Sequence, residues 1–232
     1  MARILVTGAA RGLGLEFVRQ YLERGETVLA AARRPSEAMG ELGIRHGTRY
    51  VELTLDVDDE ASIAQARRSV EEPIDVLINN AGIGHAETRE SSENLGTLTQ
   101  AGIETVLRTN LVGPTLVTQA FLDRLGEGSK VAAVSSAYSW LARRDGHFAN
   151  NFAYSYSKVG VNMLMRSLGI LLKERGVLSV SLDPGWARTD MGGPDAFISA
   201  EESVRGMMAL LDALGPDDSG GYISWEGERL AY

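Results

Sequence analysis

The sequence predicts an α/β fold, one doubly wound sheet of seven parallel strands with helices on both faces. Three observations predict it. Short β-rich runs alternate along the chain with longer stretches of helical period. The runs are apolar, as strands covered on both faces must be. A glycine-rich turn, Thr7-Gly8-Ala9-Ala10-Arg11-Gly12-Leu13-Gly14, joins the first run to the first helical stretch.

In chain order, Ile4–Thr7 is the first strand, an Ile-Leu-Val run that stops at Gly8, and Leu13–Arg24 is the helix behind it. Thr27–Ala32 and Tyr50–Leu55 are the next two strands, followed by a helix over Ser62–Val70 and a fourth strand over Ile74–Asn79. A long helical stretch, Thr97–Leu125, leads to the fifth strand, Val131–Ser135. The helix over Ala153–Lys173 carries Val161, Leu164, Met165, Leu168 and Leu172 at helical spacing, the stripe of a core-facing helix. Val177–Leu182, a helix over Ala200–Leu214 and Gly221–Ser224 complete the series. Two segments after strand ends read as functional loops, His85–Asn94 and Gly192–Phe197.

With 232 residues, 44% of them hydrophobic, the chain can bury one substantial core, and no repeat or linker divides it, so residues 1–232 read as one domain. Lys plus Arg total 23 against 31 Asp plus Glu, a net charge of -8, which offers no global attraction to nucleic acid or an anionic membrane. Cysteine is absent, and His46, His85 and His147 show no ligand spacing, so no metal is expected. No apolar run is long enough to span a bilayer and no targeting segment precedes the first strand, so a cytoplasmic protein is expected.

The turn after the first strand lets the backbone bend sharply and brings an anion to a helix N-terminus, whose free N–H groups and dipole favour a pyrophosphate. Its spacing, Gly8-x-x-x-Gly12-x-Gly14, differs from the general dinucleotide fingerprint, but its position at the head of a strand–turn–helix makes a Rossmann-type nucleotide site the reading. The second strand ends at Ala32-Arg33-Arg34, where an acid would hold an unphosphorylated ribose. None stands there. Arg33 and Arg34, with Arg11 from the glycine turn, offer guanidinium forks to a 2′-phosphate, which favours NADP(H) over NAD(H).

Tyr154 and Lys158, four apart on one helix, project from the same face. An ammonium beside a phenol stabilises phenolate and makes the tyrosine a proton donor to a nascent alkoxide. Tyr156 points elsewhere on the helix. Ser135 and Ser136 close the fifth strand, where a hydroxyl can bond a substrate carbonyl. Tyr138, Trp140, His147, Phe148, Trp186 and Met191 flank these groups and offer an apolar pocket for a ring or alkyl chain.

Thr7-Gly8-x-x-x-Gly12-x-Gly14, Asp56-Val57, Asn79-Asn80-Ala81-Gly82, Asn110, Ser136, Tyr154-x-x-x-Lys158 and Pro184-Gly185-Trp186-Ala187-Arg188-Thr189 occur in one order, and in that order the chain resembles the short-chain dehydrogenase/reductase family from Met1 nearly to its end. The segment Asp183–Gly193 and the ending Gly220–Gly227 resemble the C-factor and sniffer-like branch, which includes carbonyl reductases and proteins first described through cell signalling. The resemblance implies Tyr154 as general acid/base, Lys158 as the group that tunes it and holds the nicotinamide ribose, Ser136 as the residue that orients the carbonyl, and Asn110 as the anchor of a water relay. It implies that the cofactor meets Gly8, Arg11, Gly12, Leu13 and Gly14, then Arg33 and Arg34, and that it meets Tyr154 and Lys158 at the catalytic end. Asp56 and Val57 would meet the adenine, Asn80, Ala81 and Gly82 the adenine ribose, and Pro184, Gly185, Ala187 and Thr189 the nicotinamide. The stretch between Ser136 and Tyr154 is longer than in many members, which leaves Ser135 as the alternative serine. The two long helices often pair across a two-fold axis in this family, so a homodimer or homotetramer is implied.

The activity so read is an NADP(H)-dependent oxidoreductase acting on an aldehyde, ketone or alcohol. A nucleotide-binding signalling or sensor protein with little turnover is the alternative, and an epimerase or dehydratase on the same scaffold is a third; turnover on carbonyls separates the first two, and cofactor retained without net consumption marks the third.

Overall fold

A computed structural model describes residues 1–84, 91–143 and 148–232. The strands of the main sheet are β1 (Arg3–Thr7), β2 (Thr27–Ala32), β3 (Tyr50–Thr54), β4 (Val76–Asn79), β5 (Lys130–Val134), β6 (Leu178–Asp183) and, after two short strands β7 (Ala187–Arg188) and β8 (Ile198–Ser199), β9 (Gly221–Ser224). They pair in the order β3-β2-β1-β4-β5-β6-β9, all parallel, so the seven predicted strands are present with ends shifted by at most two residues. The connection reverses direction between β1 and β4, and the carboxyl ends of β1, β4, β5 and β6 open on that switch point, where such sheets bind ligands.

Successive side chains of a strand face opposite layers. Ile4, Val6, Val28, Ala30, Val76, Ile78, Ala132, Val134, Val180 and Leu182 enter one core with Phe17, Val18, Tyr21 and Leu22 of α1 (Gly12–Glu23) and Val204, Met207, Met208 and Leu211 of α7 (Ala200–Ala213). Leu5, Leu29, Ala31, Leu77, Val131 and Ala133 enter the other with Ile63 and Ala66 of α3 (Glu60–Arg68), Val117 and Phe121 of α5 (Gly113–Phe121), and Val161 and Met165 of α6 (Phe152–Leu171).

Two helical expectations are corrected. Helix α2 (Glu37–His46) stands where none was predicted: Gly40 and Gly43 dilute its period and it buries only Met39 and Leu42, but the Ser36 hydroxyl caps it by accepting from the Met39 N–H. Thr97–Leu125 is not one regular helix. Thr99 caps α4 (Gln100–Leu107), a π turn runs over Arg108–Val112, and α5 follows with Pro114 in its first turn. Pro114, four residues past Asn110, has no N–H for the Asn110 carbonyl, so the α ladder cannot run through. Asn110 therefore sits on an irregular turn aimed at the end of β4.

Candidate active site

The glycine turn is held from below by the end of β4. Asn80 donates from Nδ2 to the Thr7 carbonyl (2.9 Å) and the Gly8 carbonyl (3.3 Å), and the Thr7 hydroxyl accepts from the N–H groups of Asn80 and Ala81, both at 3.1 Å. Asn80 and Ala81 thus brace the turn. Gly8 has φ +67°, and a Cβ on it would lie 2.8 Å from the Ala81 Cα; a Cβ on Gly14 would lie 2.2 Å from the Gly8 carbonyl oxygen. Gly12 (φ +56°) is different, since its absent Cβ meets nothing closer than Thr189 at 3.6 Å. Backbone thus approaches closely at Gly8 and Gly14 while Gly12 is open, and among the described residues no side chain caps α1 at Arg11, an arrangement compatible with an anion at the helix N-terminus. Replacing Gly14 by alanine is expected to destabilise the fold by about 1–3 kcal/mol and to weaken nucleotide binding, both read by denaturant titration with and without NADPH.

Arg33 and Arg34 lie exposed directly beyond β2 with no ion-pair partner among the described residues. Arg11 is less free than the sequence suggests: its guanidinium lies 3.4 Å from the Asp190 carboxylate, an exposed pair of little strength. The Asp56 N–H donates to the Ser62 hydroxyl and its Oδ1 accepts from the Asp58 N–H, while buried Val57 packs where a Cβ on Gly113 would stand.

At the chemical end, α6 presents Tyr154 and Lys158 one turn apart, with the Lys158 Nζ 5.4 Å from the centre of the Tyr154 ring. Lys158 is buried and donates to the Val134 carbonyl at 2.8 Å, at the carboxyl end of β5. Burial lowers its pKa to about 8. Asn110, buried, accepts from the Ile83 N–H (2.8 Å) and donates to the Ile83 carbonyl (2.9 Å) and the Ser157 hydroxyl (3.2 Å). A Cβ on Gly82 would come within 3.3 Å of the Asn110 Oδ1 and 3.7 Å of the Lys158 Nζ, so Gly82 is the gap through which these two groups approach.

The two serines separate cleanly. Ser135 is buried, donating to the Asn162 Oδ1 at 2.7 Å with the Ser139 hydroxyl 3.1 Å away, whereas the half-buried Ser136 hydroxyl, among the described residues, accepts only a weak 3.3 Å contact from the Tyr138 N–H. The Tyr138 ring stands edge-on to Tyr154 (5.8 Å between centroids) and to Phe148 (5.2 Å). His85 and His147 fall outside the described residues, as does most of the His85–Asn94 loop.

After β6, the Gly185 N–H donates to the Asp183 Oδ1, and Gly185 itself (φ +67°) lies where a Cβ would meet the Trp225 indole at 2.8 Å. The Pro184 carbonyl accepts from the Ser203 hydroxyl, Ala187 pairs with Ile198, and the Thr189 hydroxyl accepts from the Gly192 N–H. Arg188, Thr189, Asp190, Gly193 and Pro194 line an open cleft of about 390 Å³. Beside it, Trp186 donates to the Gly192 carbonyl (2.7 Å) and meets Phe197 edge-on at 4.8 Å; both rings and Met191 are exposed. Phe197 closes the Gly192–Phe197 loop that the sequence singled out, whereas sequence reasoning missed Ser139, Asn162 and Tyr222. Of these only Asn162 carried a signal, a polar residue one turn past Lys158 inside an apolar stripe.

Among the described residues no group of three or more histidine, aspartate or glutamate side chains could hold a metal ion, and no helix is long and apolar enough to cross a membrane.

The family model for short chain dehydrogenases matches residues 2–196. C-signal of Myxococcus xanthus is 39% identical over 162 residues, covering 69% of this chain and 93% of the relative. Among solved structures, an NADPH-bound carbonyl reductase from chicken fatty liver superposes with a TM-score of 0.90 at 33% identity over 100% of this chain and 99% of its own. The carbonyl reductase Sniffer of D. melanogaster does so with a TM-score of 0.91 at 25% identity, covering 100% of both chains.

Proposed function

Because the chain belongs to the short-chain dehydrogenase family, whose members are oxidoreductases, we propose that it is an NADP(H)-dependent carbonyl reductase, turning an aldehyde or ketone into an alcohol or the reverse through Ser136, Tyr154, Lys158 and Asn110. The observation that carries this reading is the buried Lys158 ammonium set one helical turn from Tyr154 and bonded to the Val134 carbonyl at the carboxyl end of β5, the strand that Ser136 follows. One domain over residues 1–232 serves both cofactor and catalysis.

The cradle at Gly8, Gly12 and Gly14 fits a dinucleotide, and the unpaired Arg33 and Arg34 fit a 2′-phosphate. Arg11 and Leu13 would complete the phosphate end, Asp56, Val57 and Asn80–Gly82 the adenosine end, and Pro184, Gly185, Ala187 and Thr189 the nicotinamide end. When bound, the nicotinamide supplies or accepts the hydride at the carbonyl carbon. The chain's own residues do the rest. The Ser136 hydroxyl donates to the carbonyl oxygen, and Tyr154 passes its phenolic proton to that oxygen as negative charge grows on it. Below about pH 8 Lys158 is an ammonium that lowers the cost of the phenolate left behind. Asn110, locked by Ile83 and Ser157, holds the π turn against the lysine, with the proton route to solvent running past it.

Titration with NADPH and NADH, followed by consumption of each on a panel of aromatic and aliphatic carbonyls, tests this: NADPH is expected to bind more tightly and to be consumed. Converting Arg33 and Arg34 together to alanine is expected to weaken NADPH about tenfold to a hundredfold with NADH little changed; equal losses for both would remove the 2′-phosphate reading. The 39% identity to C-signal supports a second reading, signalling with little turnover, which tight NADPH binding without consumption on any carbonyl would favour.

Small-molecule carbonyls or alcohols are the proposed partners, with no nucleic acid and no membrane, in the cytoplasm. Tyr156, Met163 and Ile170 form an exposed stripe along α6, and such a stripe suits a second copy of the chain in a homodimer or homotetramer.

A further inference from the structure

Behind the proposed catalytic serine lies a buried polar network that the chemistry above does not use. The Ser136 carbonyl, just past the end of β5, receives three donors: the Ser139 N–H at 2.9 Å, the Ser139 hydroxyl at 2.7 Å and the Tyr222 hydroxyl at 2.8 Å. A carbonyl has two lone-pair directions, so its orientation is over-determined. The Ser139 hydroxyl in turn accepts from the Asn162 Nδ2 at 2.9 Å, and the Asn162 Oδ1 accepts from Ser135 at 2.7 Å. With the Ser139 proton given to the Ser136 carbonyl, the Ser139 oxygen can only accept from Asn162, which matches an amide set with Nδ2 toward Ser139 and Oδ1 toward Ser135. Asn162 lies four residues past Lys158 and eight past Tyr154, so one face of α6 carries the acid, the lysine and the amide that fixes the serine turn.

We propose that Tyr222, together with Ser139 seated by Asn162, is a positioning clamp on the Ser136 peptide that sets the distance and angle of the Ser136 hydroxyl relative to Tyr154. This rests on the catalytic reading of Ser136. With its carbonyl clamped and its N-terminal neighbour tied to β6 through the Ser135 N–H and the Leu182 carbonyl (2.7 Å), Ser136 keeps only the rotation of its own side chain. Tyr222 suits the task. It is fully buried on β9, and burial and then the nearby Asp183 carboxylate push its pKa well above the ordinary phenol range, so it stays a donor throughout the working pH range. Its ring also stacks on Tyr232, so removing the hydroxyl oxygen leaves the packing in place.

The test is a double-mutant cycle on the full chain, with kcat and KM for a carbonyl substrate and the dissociation constant for NADPH as readouts. Tyr222→Phe is expected to lower kcat about tenfold or more, with KM and NADPH affinity within about twofold, and to have no further effect once Ser136→Ala is present. Ser139→Ala is the second variant and is expected to show the same coupling to Ser136. Wild-type kcat in Tyr222→Phe and Ser139→Ala, or an equal loss in both Ser136 backgrounds, would overturn the clamp while leaving Ser136 catalytic. Full activity in Ser136→Ala itself would overturn the serine reading and the clamp with it.

Discussion

Tyr154→Phe is expected to lower carbonyl turnover by about 10²–10⁴-fold and to leave NADPH affinity nearly unchanged. The substitution removes one oxygen, the atom that must deliver a proton to the nascent alkoxide, and retains the ring that meets Tyr138 edge-on, so the pocket wall survives. Ser136 can still bond the carbonyl oxygen, which accounts for a residual rate rather than none. Steady-state kinetics and a binding titration on the same preparation check both halves. Loss of NADPH binding in parallel with activity would mean that the phenol acts through cofactor seating, not proton transfer.

Lys158→Met is expected to lower turnover about 10³-fold and yet not to weaken the cofactor-free fold. Burial shifts the Lys158 pKa from 10.5 to about 8, which at about 1.36 kcal/mol per unit costs the folded state on the order of 3 kcal/mol near neutral pH. The methionine removes that cost but leaves the Val134 carbonyl without its donor, a loss of about 1–3 kcal/mol, so the variant should match or exceed the parent in stability. The pH dependence has a definite sign. Between about pH 8 and 10.5 the unfolded chain still holds a proton that the folded chain has released, so this group's contribution to stability rises with pH. The stability difference between variant and parent should therefore shrink by about 2 kcal/mol from about pH 7 to about pH 9.5. Denaturant titrations at the two pH values measure it; a difference independent of pH would show that Lys158 is not buried as a charged group.

These residues were legible in the sequence to different degrees for physical reasons. Strands buried on both faces leave uninterrupted apolar runs, so Ile4-Leu5-Val6 and Val131-Ala132-Ala133 declare themselves. Tyr154 and Lys158 are four apart on one helix, and local spacing suffices to bring them together. Helix α2 escaped notice because glycines at 40 and 43 blur its period, and the π turn because helical spacing resumes on both sides of it. Ser135 and Ser136 are adjacent and chemically identical; only the peptide geometry beyond β5 sends one hydroxyl to Asn162 and leaves the other half-buried with a weak contact from the Tyr138 N–H. The Arg11 to Asp190 pair and the Tyr222 to Ser136 bond join residues far apart in the chain through the parallel sheet, and no local pattern announces contacts of that kind.

The most direct test of the central claim follows the hydride itself. The purified protein is incubated with NADPH deuterated on its nicotinamide ring and the carbonyl panel, and the product alcohols are examined by mass spectrometry, with Tyr154→Phe run in parallel. Deuterium at the carbinol carbon, formed at a rate that falls at least about a hundredfold in the variant, is the predicted result. Absence of transfer to every carbonyl, or transfer at an undiminished rate without the Tyr154 hydroxyl, would contradict it.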